Sequence, residues 1–321
     1  MLKTLAFKML ALSFLLPGLS SCAVTEQKLK VSLSDWPGYE YIWLAKENGY
    51  LERFELIEYT DLSEATLGYL SGEVDVAQLT TIDVAGICSR SQSMCPEIIL
   101  VLNESLGGDK IMSKKLTSVE QLGGKIVGVS TNSFGPYVLA RALENSGVDF
   151  TDVQLKPMQL PDMPQALERG EIDAVALYPP YSEKAREIGA VDIFDSSQIP
   201  GEILDVLVVS PKVISDRSAE LSQLITGWYK AHQDALNNPE KYIPLMAKRE
   251  GLDADEFQQI LHELKFDVDL ERQAELLAEN GVLEKNTQKI KSLLEQLDLI
   301  ADDGDLPAIS NGFVIQANTK I

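Results

Sequence analysis

Five short segments of this 321-residue chain carry side chains from which a binding site could be made. Ser34 to Tyr41 supplies Asp35, Trp36, Tyr39, Glu40 and Tyr41, and Thr80-Thr81-Ile82-Asp83 adds two hydroxyls and a carboxylate. Asn103 to Asp109 contributes Glu104 and Asp109. Ser130 to Tyr137 contributes Ser130, Thr131, Ser133 and Phe134, and Tyr178-Pro179-Pro180-Tyr181 contributes two phenols. None of the five contains an arginine. Aromatic faces among carboxylates suit an ammonium or another nitrogenous cation, through cation–π attraction and charge pairing. An anion could still be held by the N–H groups of helix starts. Capping and anion binding use the same donors, so Ser130, Thr131 and Ser133 fit either role. Trp36 and Tyr39 could be packing over a helix start, but aromatic residues beside a Pro-Gly turn at a strand end point to ligand contact. The expected ligand-binding set is Asp35, Trp36, Tyr39, Thr81, Glu104, Asp109, Ser130, Ser133, Phe134 and Tyr178.

Catalysis has less to work with. The only histidines are His232 and His262, both in the helical C-terminal part and outside all five segments. Metal or triad chemistry therefore lacks its usual groups, although Glu104 and Asp109 leave carboxylate acid–base chemistry formally open. The expectation is a binder and not an enzyme, with no cofactor and no metal.

The elements that position these segments repeat. Gly72-Glu73-Val74-Asp75-Val76-Ala77 returns as Gly170-Glu171-Ile172-Asp173-Ala174-Val175, and the same interval separates the helix-closing Gly49 and Gly147. Upstream of each copy a β-rich run enters a loop with Gly, Pro and aromatics: Lys30 to Ser34 before Trp36, and Lys125 to Ser130 before Phe134. Two similar β-loop-α-β-α-β units predict two α/β lobes, with ligands collecting at the carboxyl ends of the strands. The first lobe is expected to hold strands at 29–33, 54–59, 74–79 and 98–102, and helices at 41–48 and 63–70. The second is expected to hold strands at 126–129, 153–158 and 172–177, and helices at 137–145 and 163–169. Lys110 to Ser118 reads as a crossover and Leu204 to Val209 as the return strand. Helices follow at 219–236, 239–249, 255–264, 270–279 and 285–299, and the weakly patterned tail 301–321 is left unplaced. The predicted division is 29–110 with 205–321 for the first lobe and 111–204 for the second. Asp75 and Asp173 open strands after Gly-Glu turns, so their repetition reflects architecture more than chemistry.

The bulk composition narrows the partners. A formal charge of −21 repels phosphate backbones, which argues against nucleic acid. With 45% hydrophobic and 24% charged residues, the chain reads as globular. Met1 to Lys8 holds two lysines and no acid, Met9 to Leu16 is apolar, and Pro17-Gly18 leads to Leu19-Ser20-Ser21-Cys22. This matches a signal peptide over 1–21, followed by a tether over 22–28. The last four residues resemble the bacterial lipobox, which would lipidate Cys22; a plain secretory leader with an incidental cysteine is the alternative. Ala23, not Asp, would then favour the outer membrane of a Gram-negative host. Export would place Cys88 and Cys95 in an oxidising compartment, where a local disulfide is the expected state. A metal-binding thiol pair or two buried thiols are the alternatives, without a nearby histidine in support.

Between Lys30 and Val209 the chain carries Trp36-Pro37-Gly38-Tyr39, Leu44 to Leu51, Gly107-Gly108-Asp109, Leu122-Gly123-Gly124-Lys125, Gly170 to Ala174 and Tyr178-Pro179-Pro180. In this order and spacing they resemble substrate-binding proteins of ABC importers in the nitrate/sulfonate/taurine class. The resemblance implies the two-lobed type II periplasmic-binding-protein fold with a two-strand hinge. It also implies ligand-driven closure on a small molecule and hand-over to an ABC permease and its ATPase; a monomer is expected. A membrane sensor as recipient would need the same closure. The Trp36 loop, Gly108-Asp109, the Ser130 to Phe134 loop and Tyr178 are implied to line the cleft. The arginine-free segments depart from a simple sulfonate binder and favour a nitrogen-containing, even zwitterionic, ligand.

Overall fold

Alternating strands and helices build two separate sheets, and the chain passes between them twice. The computed structural model describes residues 27–320 apart from 132, 302 and 303. The leader, Cys22 and the tether as far as residue 26 lie outside the described residues. The first pass runs through β1 (Leu29–Ser34), α1 (Glu40–Glu47), β2 (Phe54–Tyr59), α2 (Leu62–Leu70), β3 (Val76–Thr80), α3 (Thr81–Arg90) and β4 (Glu97–Ser105). After a short crossing the chain forms β5 (Lys110–Ser113), β6 (Ile126–Val129), α4 (Gly135–Ser146), β7 (Gln154–Pro157), α5 (Met163–Arg169), β8 (Ala174–Leu177), α6 (Tyr181–Glu187) and β9 (Val191–Asp195). It returns through β10 (Leu204–Val209) to α7 (Ser218–Asn237), α8 (Pro239–Glu250), α9 (Ala254–His262), β11 (Leu264–Lys265), α10 (Leu270–Leu276), α11 (Val282–Gln296), β12 (Ala308–Ile309) and α12 (Gly312–Asn318).

The larger sheet has the order β11-β4-β10-β3-β1-β2, with β12 also on β4, and the smaller one β7-β6-β8-β5-β9. Every residue of β3 and β10 is buried, as expected of apolar strands covered on both faces. β10 runs antiparallel between β3 and β4, so the return strand is locked into the middle of the first sheet. No helix among the described residues is long and apolar enough to cross a membrane.

The sequence repeat has a physical cause. Asp75 Oδ2 accepts from the Lys30 N–H at 3.0 Å, and the Asp75 N–H returns a bond to the Lys30 carbonyl at 2.9 Å. Asp173 does the same with Ile126, at 3.0 and 2.8 Å. Each aspartate thus clamps the start of one strand to its parallel neighbour, and the preceding Gly72 and Gly170 turn the chain at φ of 75° and 71°.

Several expectations are corrected. Lys110 to Ser113 is not a crossover but a strand antiparallel to both β8 and β9, and β9 itself was not expected. The unplaced tail supplies β12 beside β4 and α12, which packs on α7 and α10. Cys88 and Cys95 form a disulfide, tying the last turn of α3 to the bend before β4.

Candidate functional site

Where the two sheets face each other, a row of polar side chains crosses the first. Asp205, second residue of β10, stands opposite Thr80 of β3 on one side and Asn103 of β4 on the other. Cross-strand partners share a face of a sheet, so the three side chains stand together. All are buried, at 1–2% exposure. Asp205 Oδ1 accepts from the Tyr39 hydroxyl at 2.6 Å, while its Oδ2 and both side-chain polar atoms of Asn103 have no partner. Polar atoms buried without hydrogen bonds are costly, and their concentration at one place calls for a ligand.

Helix α3 starts at the end of this row. Thr80 and Asp83 form a capping box: Asp83 Oδ2 accepts from the Thr80 N–H and hydroxyl at 2.9 and 2.6 Å. Asp83 Oδ1 and Thr81 Oγ1 are left without partners. Asp109, in the first crossing, donates its N–H to Ser105 Oγ at 3.2 Å, and Ser105 Oγ lies 2.8 Å from Ser196 Oγ of the second crossing.

Burial raises the carboxyls of all three aspartates. Asp83 is pushed up to about 6, and Asp109 to about 7 with a contribution from the Asp83 charge. Asp205 is held well above the carboxylate range by burial and by the charges of Asp109 and Asp83. Among the described residues none of the three has a salt bridge, and Lys110 beside Asp109 is bonded instead to Glu263 at 2.7 Å and to the Gly107 carbonyl. Burial, with the charges of their neighbours, shifts all three carboxyls toward the protonated form.

Aromatic rings close the space above. Trp36 meets Tyr178 edge-on at 5.3 Å between ring centres, and Phe134 lies against Tyr178 at 5.1 Å. Trp36 and Tyr39 belong to the first lobe, Phe134 and Tyr178 to the second. The Trp36 loop is pulled down by its backbone N–H, which donates to Glu250 Oε1 at 3.1 Å. A side chain on Gly108 would meet Trp36 Cη2 at 2.7 Å, so only glycine lets the indole lie over the crossing. The indole N–H faces Asp205 and stabilises its charge, though Trp36 Nε1 makes no full hydrogen bond. Ser133 stands in the same relation to Asp83.

Contacts between the lobes hold this arrangement closed. Tyr178 Oη accepts from the Leu62 N–H at 3.1 Å, and Tyr181 Oη lies 3.0 Å from Asp35 Oδ2 and 3.2 Å from the Thr60 carbonyl. Behind the crossings, Glu202 accepts from Tyr137 and Arg141 of α4 and from Lys289 of α11, bracing both lobes.

Of the expected residues, Trp36, Tyr39, Thr81, Asp109, Ser133, Phe134 and Tyr178 gather at the cleft. Ser130 lies buried beneath it, its carbonyl accepting from the Ser133 N–H at 3.3 Å. Asp35 stands at the rim with Tyr181. Glu104 is directed away: alternation along β4 puts it on the face opposite Asn103, where it accepts from the Gly201 N–H at 2.6 Å and pairs with Lys265 at 3.1 Å. Glu40 likewise pairs with Arg249, and Tyr41 stacks on the buried ring of His232 at 3.4 Å. Asn103 and Asp83 were in the segments but not in the expected set, and Asp205 was missed altogether. A lone acid inside the apolar run Leu204-Asp205-Val206-Leu207-Val208-Val209 was its signal.

Comparison with known proteins agrees with this architecture. The family described as NMT1/THI5 like matches residues 40–242. The taurine-binding periplasmic protein of Escherichia coli K12 is 22% identical over 254 residues, covering 76% of this chain and 75% of that protein. The crystal structure of the periplasmic aliphatic sulphonate binding protein SsuA from Escherichia coli superposes with a TM-score of 0.71 at 18% identity, covering 88% of this chain and 91% of that one. The alkanesulfonate-binding SsuA from Xanthomonas axonopodis pv. citri, bound to MOPS, gives 0.71 at 16% identity over 91% and 98%. The fold is that of the periplasmic binding proteins.

Proposed function

This chain belongs to the NMT1/THI5-like family, and from that premise we propose that it is an extracytoplasmic solute-binding protein for a small nitrogen-containing cation or zwitterion. In this reading the lobes close on the solute and deliver it to an ABC permease and ATPase. The protein is held at a membrane by lipid on Cys22. The observation that carries the ligand class is the buried trio Asp83, Asp109 and Asp205 under the rings of Trp36, Tyr39 and Tyr178, none of them in a salt bridge among the described residues, although the charges of Arg90 and Lys110 act on Asp83 and Asp109. An ammonium would supply the missing charge and sit against ring faces. The periplasmic relatives favour the delivery role, and a lipid anchor fits the leader.

A second reading, a sulfonate- or nitrate-type anion, is favoured by the unpartnered donors Trp36 Nε1 and Asn103 Nδ2 and by what the relatives bind. A thermal-shift panel of amines, betaines, pyrimidines, taurine, alkanesulfonates and nitrate separates the two. A ligand at 100 times its dissociation constant stabilises by about 2.7 kcal/mol. Stabilisation by amines or betaines supports the cation reading; stabilisation by sulfonates or nitrate alone overturns it. Labelling of the wild type but not of Cys22→Ala by a fatty-acid probe tests the anchor.

A further inference from the structure

Beneath the Trp36 loop two acidic side chains from different helices meet away from water. Glu40 is the first residue of α1 and Glu250 the last of α8, and both side chains are fully buried. The two carboxyls lie within hydrogen-bonding reach of each other. Glu40 Oε1 is 2.7 Å from Arg249 Nη1, and Glu250 Oε1 accepts the Trp36 N–H at 3.1 Å. The second oxygen of each, Oε2, has no donor among the described residues. A single proton held between the two carboxyls would remove the excess buried charge and satisfy both oxygens. The helix ends decide which of them carries it. The start of α1 stabilises a charge on Glu40, whereas the end of α8 disfavours one on Glu250. Burial raises Glu40 to about 7 even with Arg249 beside it, and it holds Glu250 well above the carboxylate range. Around the pair, Asp35 after β1 adds negative charge and Arg249 offsets it. Glu58 of β2 lies 3.6 Å from Arg249, Tyr181 of α6 bonds to Asp35, and Lys184 of α6 acts on Asp35.

We infer that Glu40 and Glu250 share one proton, through which Glu250 holds both ends of the turn from Trp36 to Glu40 and positions the indole over the cleft. One bond reaches the Trp36 N–H at the start of the turn, and the other reaches the Glu40 carboxyl at its end. Loss of the proton replaces the second bond by repulsion between two buried charges. A carboxyl raised in this way contributes stability that is complete below its unfolded value and lost as pH rises through the folded one. The turn is therefore firm at low pH and loosens above about 7. Glu40 and Glu250 are positioning residues, since they act on the ligand through Trp36. The inference rests on the solute-binding reading, in which Trp36 covers the ligand, and not on the ligand's charge.

The test follows the Trp36 backbone N–H by NMR of the ligand-free protein carrying isotope-labelled tryptophan, from pH 6 to pH 9. The signal is identified by its loss in Trp36→Phe. The expected result is one sigmoidal shift with a midpoint at about pH 7 or above, absent from Glu250→Gln. The glutamine accepts from Trp36 and donates to Glu40 at every pH, so it imitates the protonated pair. A wild-type signal that does not move overturns the inference. So does a shift that persists in Glu250→Gln, which would belong to Asp35. Calorimetry with methylammonium and with taurine then compares the two proteins. The ratio of their dissociation constants is expected to be near one at pH 6, with Glu250→Gln about fivefold tighter at pH 9, the equivalent of one hydrogen bond. Protons displaced from the cleft aspartates cancel in this ratio. An equal ratio at both pH values overturns the positioning role. Binding of taurine without methylammonium overturns the cation reading alone, and the ratio for taurine then decides the role of the pair.

Discussion

Tyr39 Oη lies 2.6 Å from Asp205 Oδ1, so the loop after the first strand is tied to the strand that returns from the second lobe. The pair unites a ring and a carboxyl that are 166 positions apart in the chain. The Tyr39 hydroxyl favours the charged form of Asp205, against burial and the neighbouring aspartates. Tyr39→Phe removes that donor, so Asp205 retains its proton to higher pH. Affinity for an ammonium probe is expected to fall about tenfold at pH 7, the equivalent of ~1.4 kcal/mol, and to recover in part at pH 9. Calorimetry at both pH values checks this, and unchanged affinity at both would remove Asp205 from the site.

Asp109 is a test of stability against pH. Its folded value of about 7 lies above the ordinary 3.8 because of burial, helped by the Asp83 charge. A carboxyl raised in this way contributes stability that is complete below about pH 4 and lost as pH rises through 7. Asp109→Asn should therefore melt close to wild type at pH 5 and higher than wild type at pH 8. Ammonium binding has the opposite slope, strengthening by up to about tenfold per pH unit for each proton displaced. Thermal melts with and without methylammonium at the two pH values give both slopes. A variant that melts lower than wild type at pH 8 would contradict the assignment.

Closure should depend on Tyr181. Its hydroxyl reaches Asp35 and the Thr60 carbonyl from the other lobe, and it lies at the rim of the aspartate cluster. Tyr181→Phe removes a contact worth about 1 kcal/mol, which favours the open form and weakens ligand binding about fivefold. Small-angle scattering of the ligand-free variant should give a larger radius of gyration than wild type. Identical scattering and affinity would mean that the contact does not hold the lobes together.

The two strand clamps should behave as structure alone. Asp75→Ala and Asp173→Ala each leave a backbone N–H, of Lys30 or Ile126, without its acceptor, at a cost of about 1–3 kcal/mol. Asparagine retains an acceptor oxygen and should restore most of the loss. Denaturant titration measures the cost, and ligand affinity of the folded fraction should stay within twofold of wild type. A large affinity change would give these aspartates a part in binding.

What the sequence determined by itself is what local chemistry and periodicity can encode. The repeated Gly-Glu-hydrophobic-Asp motif carries its own turn and clamp, and the apolar runs at 98–102, 126–129 and 204–209, the last broken only by Asp205, lie within strands. The helix stop at Gly147 was legible for the same reason, since a left-handed residue is a local requirement. The aromatic side chains that gather at the cleft were legible too, because they sit in loops at strand ends.

Tertiary structure decided which carboxylates serve the cleft. Glu104 and Asn103 are adjacent in the chain, but strand alternation places them on opposite faces, and only pairing with Asp205 selects Asn103. Asp205 comes to stand in the candidate site because β10 inserts antiparallel between β3 and β4, a non-local pairing that no window of sequence contains. The raised proton affinities of Asp83, Asp109 and Asp205 arise from burial beside one another. Three charges far apart in sequence acquire a common chemistry only when the fold removes the water between them.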